Sequence, residues 1–378
     1  MKINKIKLLK TIDAIAGPAA LKLITSLKKP RPLPENLSSI LIIRPGGIGD
    51  AVHLLPSIGL LKRYIPDASV HVLAERRNAG VFSLCTDIEE VFLYDKNKGL
   101  FKCLKNRYDI VIDTEQWHRL SASVTYLTGA PVRAGFGTNE RKRAFNVAVQ
   151  YSHDDYEVYS FFNLIKATLG FLNVELKEDD IQFSPDGAFI EVNESEISSW
   201  LKDRVSELKS RYKGGYVVIS PGATVRERRW GGKRYAEVAQ ELINKGFGVL
   251  VVGAEVDRED ADIIVSSAQG AFDLTGKTSL MDLAYILKKA RLFIGPDSGV
   301  LHIAVGAGAP TVSLFGSGIA KKWAPGGKKH IVINKNLPCS PCTRFGYTPK
   351  CPYGIRCLKE ISSQEVLEAA FKLLKGYI

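Results

Sequence analysis

The stretch IIRPGGIGDAVHLLP, Ile42 to Pro56, decides how this chain is read. Four apolar residues, Ile40 to Ile43, run into a turn holding Gly46, Gly47 and Gly49, and a single acid, Asp50, then heads an apolar helix-like segment. An apolar strand entering a helix through such a turn is the first unit of an α/β sheet. Turns of this kind receive anions on their backbone N–H groups. A carboxylate there would repel a phosphate, so Asp50 either caps the helix or does chemistry.

The same alternation continues outward from that turn. Strands are expected in SVHVLA (69–74), EEVFLY (89–94) and YDIVIDT (108–114), with helical patterns between them. Around residues 184–213 the strand pattern gives way to a charged helix. It restarts with GYVVISPGA (215–223), FGVLVVGA (247–254), LFIGPDS (292–298) and PTVSLFG (310–316). The expectation is an α/β chain of two doubly wound parallel sheets, residues 38–185 and 186–378, preceded by an extension and linker over residues 1–37. Ligands of open α/β sheets bind beyond the carboxyl ends of the strands, so the strand-end loops are where function is sought.

Composition agrees with a two-domain globular protein. The 378 residues suffice for two cores, and 45% hydrophobic with 24% charged residues is ordinary for such a chain. No apolar run is long enough to span a bilayer, and the N-terminus lacks the apolar core of a signal peptide, so a cytoplasmic location is expected. The net charge of +12 is concentrated at two places: residues 1–31 carry +7 and residues 321–359 carry +9. The remainder is mildly acidic.

The first basic segment places Ile3, Ile6, Leu9 and Ile12 or Asp13 at helical spacing between lysines, and repeats the pattern through Leu21, Ile24 and Leu27. Gly17-Pro18 is expected to break it into two short helices. A basic amphipathic helix either lies on an anionic membrane or packs its apolar stripe on the protein body.

Three strand-end loops carry the unusual residues. The first ends in Asp50; the second is SPGATVRERRWGGK (220–233); the third is GPDSGVLH (295–302). Ser298 and Gly299 put N–H groups and a hydroxyl where a helix N-terminus can cradle phosphate, with Asp297 and His302 beside them. Each of those last two also reads as a cap or a buried core residue. Glu255 and Asp257 follow another strand, where an acid can accept from ribose hydroxyls; Asp257 is the better placed.

Together, the glycine turn ending in Gly-Asp, the Pro-Gly-Ala loop followed by basic residues and Trp230, and Asp-Ser-Gly-x-x-His before a Gly/Ala-rich helix resemble glycosyltransferase family nine, the ADP-heptose heptosyltransferases of lipopolysaccharide synthesis. The resemblance runs from about Ile40 to the C-terminus. It implies the GT-B fold, two Rossmann-like domains facing a cleft, with a nucleotide-sugar donor on the second and an anionic glycolipid acceptor on the first. It implies inverting transfer with Asp50 as general base, no catalytic cofactor, and a place at the inner face of the inner membrane. Arg228 stands where the family commonly has lysine and would meet the donor diphosphate, while Gly231 replaces the family's proline.

Cys339, Cys342, Cys351 and Cys357 form C-x2-C-x8-C-x5-C in the Pro/Gly-rich loop 339–357. Four thiols so close together in a cytosolic chain suit a structural Zn or Fe better than disulfides, and some members of the resembled family carry such a cluster. The basic residues around them, Arg344, Lys350 and Arg356, suit an anionic acceptor. Two alternatives stay open: a transferase of this fold with another donor or a protein acceptor, and a thiolate-metal nucleic-acid-binding protein. The acidic remainder and the lack of a recognised nucleic-acid motif argue against the second.

Overall fold

The computed structural model describes residues 5–27, 31–96, 98–344 and 346–375. They divide into two compact units, Met1–Phe183 and Ser184–Ile378. The first holds strands β1 (Ser39–Arg44), β2 (Ser69–Ala74), β3 (Glu90–Leu93), β4 (Ile110–Asp113), β5 (Val132–Phe136) and β6 (Val147–Val149). Its helices are α1 (Lys5–Leu27), α2 (Ile48–Tyr64), α3 (Gly99–Lys105), α4 (Arg119–Leu127) and α5 (Glu157–Phe171). The sheet order is β3-β2-β1-β4-β5-β6, and every neighbour is parallel.

The second unit repeats the plan. Its strands are β7 (Tyr216–Ile219), β8 (Gly248–Val251), β9 (Ala271–Asp273), β10 (Leu292–Pro296), β11 (Thr311–Phe315) and β12 (His330–Asn334), in the order β12-β11-β10-β7-β8-β9, again all parallel. Helices α6 (Ser199–Arg211), α7 (Gly232–Asn244), α8 (Arg258–Ser267), α9 (Leu280–Lys288), α10 (Gly299–Gly306), α11 (Ala320–Trp323), α12 (Arg356–Lys359) and α13 (Ser363–Leu374) surround or follow them. Both sheets have doubly wound order, so each has one point where the winding reverses: between β1 and β4, and between β7 and β10. Crevices for ligands open there, beyond the carboxyl ends of those strands.

The sequence accounts for the central strands directly. β1, β4, β7 and β8 are continuous apolar runs because helices cover both faces, and all but one of their residues are buried. Four strands, β5, β6, β9 and β12, went unread. β5 reads VRAGF, with Arg133 as its second residue; the guanidinium is buried because its N–H groups donate to the carbonyls of Ala144 and Ala130. The other three are short or only half-buried, which removes the apolar run that marks a strand.

The N-terminal segment corrects the expectation of two short helices: α1 is one helix with Pro18 inside it. Proline forfeits one helical hydrogen bond, but α1 is anchored to α4 on both sides of that point. Before it, buried Asp13 accepts the N–H groups of Arg119 and Leu120 at 2.7 Å each, so this acid of α1 caps α4. Gly17 lies against the Arg119 stem, and after it Leu21 packs with Ala122, Tyr126, Ala144 and Phe145. Burial alone would raise the Asp13 pKa; hydrogen bonds from His118, Leu120 and Arg119 outweigh it and hold the carboxyl below its usual value. The expectations for Ile3, Ile6, Leu9, Ile12 and Leu27 fall outside the described side chains.

Candidate functional site

Asp50 does not cap α2. The cap position is Gly47, which brings no side-chain hydrogen bond, and Asp50 is the third helical residue. A carboxylate in the first turn is favoured by the helix dipole, which is why an acid is stable there without a partner. Asp50 is half-buried and makes no hydrogen bond or ion pair with the described residues. Its place is at the carboxyl end of β1, where the first sheet reverses its winding.

The glycines explain how the carboxylate is set. Gly46 has φ +112°, a backbone that side chains rarely adopt. Gly47 has ordinary φ, yet a Cβ there would lie 2.8 Å from Asp50 Oδ2. Gly47→Ala is therefore expected to leave the fold and thermal midpoint unchanged while pushing the carboxylate aside, lowering kcat about 10- to 100-fold. A variant with full activity would mean that the position of the carboxylate is immaterial.

Behind the turn lies a buried polar frame that sequence reading missed. Arg44, 2% exposed, donates to Pro45 O at 2.7 Å and Thr114 O at 2.9 Å, and stands 3.7 Å from Glu115. Arg77 donates to Gly46 O at 2.9 Å, and Asn78 to Arg44 O at 3.0 Å. Burial pushes the Glu115 pKa up, but Arg44 and Arg141 outweigh it and keep the acid ionised. Tyr151, hydrogen-bonded to buried Glu157 at 3.0 Å, has its pKa raised by burial, with the charges of Glu157 and Asp50 adding. No periodicity marks these residues. Arg44, ending an apolar strand, was the one visible signal.

In the second unit the β7 and β10 loops meet at the other reversal point. Arg228 Nη1 lies 3.0 Å from Asp297 Oδ2, and Asp297 is 4% exposed. Ser298 precedes α10 and Gly299 begins it, so the first N–H groups of that helix face outward without a side-chain cap. Two buried donors beside them, Ser298 Oγ and Arg228 Nε, have no hydrogen-bond partner among the described residues. His302 is buried one turn on, and burial, with Arg228 adding, pushes its pKa down to about 3. It is a neutral imidazole at physiological pH. Helix N-terminus, guanidinium and hydroxyl together make an anion site.

A second set of buried contacts lies beside it. Arg229 donates to Asp257 at 2.6 Å and to Ala223 O at 3.0 Å, and the Ala254 N–H donates to the other Asp257 oxygen at 3.0 Å. Both oxygens of Asp257 are thus engaged, and Gly222 and Gly253 press against it. Trp230 is a core residue, donating to Ile361 O at 3.0 Å and packing edge-on to Tyr235. Gly231 has φ +107°, which proline cannot adopt.

The cysteine loop joins the same corner. The N–H groups of Cys342 and Thr343 donate to Ser317 O at 3.1 and 2.9 Å, and Gly318 lies against Asp297. All four thiols line one cavity of about 70 Å³. Among the described residues, however, no three His, Cys, Asp or Glu side chains stand where they could hold a metal ion. The expected Zn or Fe site is not supported. Cys339 is exposed while Cys357 is buried against Gly316.

Comparison with known proteins follows the same outline. Residues 98–351 match the model described as glycosyltransferase family 9 (heptosyltransferase). Lipopolysaccharide heptosyltransferase 3 of Escherichia coli is 26% identical over 300 residues, 73% of this chain and 83% of that protein. The solved E. coli ADP-heptose lipopolysaccharide heptosyltransferase II superposes with a TM-score of 0.70 at 22% identity, covering 89% of this chain and 99% of the other. E. coli heptosyltransferase WaaC with ADP-2-deoxy-2-fluoro heptose gives 0.63 at 17% identity, covering 88% and 99%. These likenesses establish the GT-B fold for the two sheets.

Proposed function

We propose that this chain, which belongs to glycosyltransferase family 9, moves heptose from ADP-heptose to an anionic inner-core saccharide of lipopolysaccharide, with inversion at the anomeric carbon. The observation that carries the reading is the orphaned pair of buried donors, Ser298 Oγ and Arg228 Nε, at the open N-terminus of α10. A nucleoside diphosphate supplies the anion such a site lacks, and solved relatives hold ADP or an ADP-heptose analogue.

The chemistry then divides by residue. Asp50 takes the proton of the acceptor hydroxyl as that oxygen attacks the anomeric carbon. The bond from that carbon to the β-phosphate oxygen breaks, and ADP leaves with the electron pair. Arg228 and the N–H groups of α10 stabilise the charge that develops on the leaving oxygen. Neutral His302 does not supply a proton there. A carboxylate that makes no hydrogen bond or ion pair with the described residues suits a base that must reach its substrate.

Calorimetry with ADP, UDP and GDP tests the donor assignment: selective binding of ADP is expected, followed by heptose transfer to a core acceptor. Preference for UDP or GDP discards heptose while keeping the fold, and no nucleotide binding overturns the reading.

We place the reaction at the cytoplasmic face of the inner membrane. Support comes from α1, whose packed face is fixed by Asp13 and Leu21 while Ile15 and Leu23, 78% and 61% exposed, point away beside exposed Lys22. Lys142 and Arg143, also exposed, follow in a segment that contacts α1. Among the described residues no helix is long and apolar enough to cross a membrane, so adsorption is the mode proposed. Ile15→Asp with Leu23→Asp is expected to abolish co-sedimentation with anionic vesicles while preserving ADP binding; undiminished co-sedimentation would remove α1 from this role.

A further inference from the structure

The first unit carries a second built pocket, away from the Asp50 turn, that the chemistry above does not use. Its volume is about 340 Å³, and it is lined by Tyr159, Phe162, Asn163, Lys166, Glu178, Ile181 and Gln182. We propose that it is a saccharide subsite, holding a ring of the acceptor beyond the one that carries the attacking hydroxyl; this rests on the acceptor reading given above.

The placement argues for it first. Tyr159, Phe162, Asn163 and Lys166 are spaced three, four and seven residues apart on α5, so they share one helix face. Just ahead of α5, the Tyr156 hydroxyl lies 3.3 Å from Nε2 of His53, three residues beyond Asp50 on α2. The stripe thus starts beside the Asp50 helix and runs about 15 Å along α5 to Lys166. A saccharide chain with one hydroxyl at Asp50 has this path along the unit.

The facing wall is pinned to α2 as well. Tyr64 donates to Asp180 at 2.6 Å, Arg63 pairs with Asp180, and the Lys177 N–H donates to the Tyr64 oxygen at 3.0 Å. At the top, the Tyr159 hydroxyl donates to Phe183 O at 3.3 Å. These bonds fix the segment carrying Glu178, Ile181 and Gln182 against α2 and α5.

The lining chemistry selects the occupant. Tyr159, 39% exposed, offers ring surface to the C–H face of a sugar, backed by buried Phe162 packed edge-on against it. Asn163, Gln182 and Glu178 are donors and acceptors whose side chains make no hydrogen bond or ion pair with the described residues, nor does Lys166. A lipid chain would leave those polar groups desolvated and unpaired. A phosphorylated sugar satisfies them, with Lys166 meeting its charge.

The test uses the delipidated, phosphorylated core oligosaccharide as probe, observed by saturation-transfer NMR on the full chain without nucleotide. Wild-type protein is expected to saturate protons of the probe. Lys166→Glu and Tyr159→Leu should each weaken binding roughly tenfold, while Lys166→Arg retains it and both Lys166 variants keep the wild-type thermal midpoint. No saturation of the probe by wild type, or equal binding in the Lys166→Glu and Tyr159→Leu variants, overturns the subsite. Failure of ADP to bind would instead count against the donor reading, and the two failures are read in separate experiments.

Discussion

Asp50→Asn is expected to lower transfer by at least about 10²- to 10⁴-fold, the usual contribution of a positioned general base, while leaving ADP affinity and thermal stability near wild type. The substitution is nearly isosteric and removes only the ability to take a proton. Because the carboxylate makes no hydrogen bond or ion pair with the described residues, no internal bond is lost with it. The amide does lose a favourable charge from the first turn of α2, a cost of about 0.3–1 kcal/mol. Single-turnover assays with radiolabelled donor would measure the effect. A folded Asp50→Asn protein with substantial turnover would exclude Asp50 as the base and return it to helix stabilisation.

Arg228→Ala is expected to weaken ADP binding about 10- to 100-fold, corresponding to roughly 1.5–3 kcal/mol for a charge-assisted contact. It should lower kcat as well, because the same cation faces the charge that grows on the leaving diphosphate. Arg228→Lys separates the two contributions: it keeps the charge but loses the fork, and intermediate affinity is expected. Losing Arg228 also takes a cation 3.0 Å from buried Asp297, so a lower thermal midpoint should accompany the loss of binding. Titration calorimetry with thermal melts of the apo protein distinguishes these effects. Unchanged ADP affinity in a folded Arg228→Ala variant would exclude the diphosphate contact.

Much of the site was visible in one dimension because its parts are local. Gly46, Gly47, Gly49 and Asp50 belong to one turn, and Asp297, Ser298, Gly299 and His302 to another, so spacing alone puts them together. Arg228 was singled out from Arg226 and Arg229, for the donor diphosphate, only through family resemblance, since composition does not distinguish three arginines in four positions; its pairing with Asp297 was not read. The role of Arg229 could not be read, since its partner Asp257 lies 28 residues away. The frame around Asp50 was hidden for the same reason: Arg44, Glu115 and Arg141 meet only when β1, β4 and the segment after β5 align.

By itself the sequence determined the alternation of apolar strands with amphipathic helices, hence the parallel sheets, because burial on both faces demands continuous apolar runs. It also determined which turns lack side chains, and so where anions and a carboxylate can approach the backbone. Tertiary structure decided the rest. It joined α1 into one helix across Pro18 by setting Asp13 on the end of α4, a contact spanning 106 residues. It set the four cysteines around one small cavity in which no metal-holding group is found among the described residues, and it paired buried charges such as Arg44, Arg141 and Asp257 with groups distant in the chain. Local backbone preference and hydrophobic period act over a few residues and are legible there. The pairing of buried polar groups is imposed by the cost of leaving them unsatisfied, and that depends on which distant segments the fold brings together.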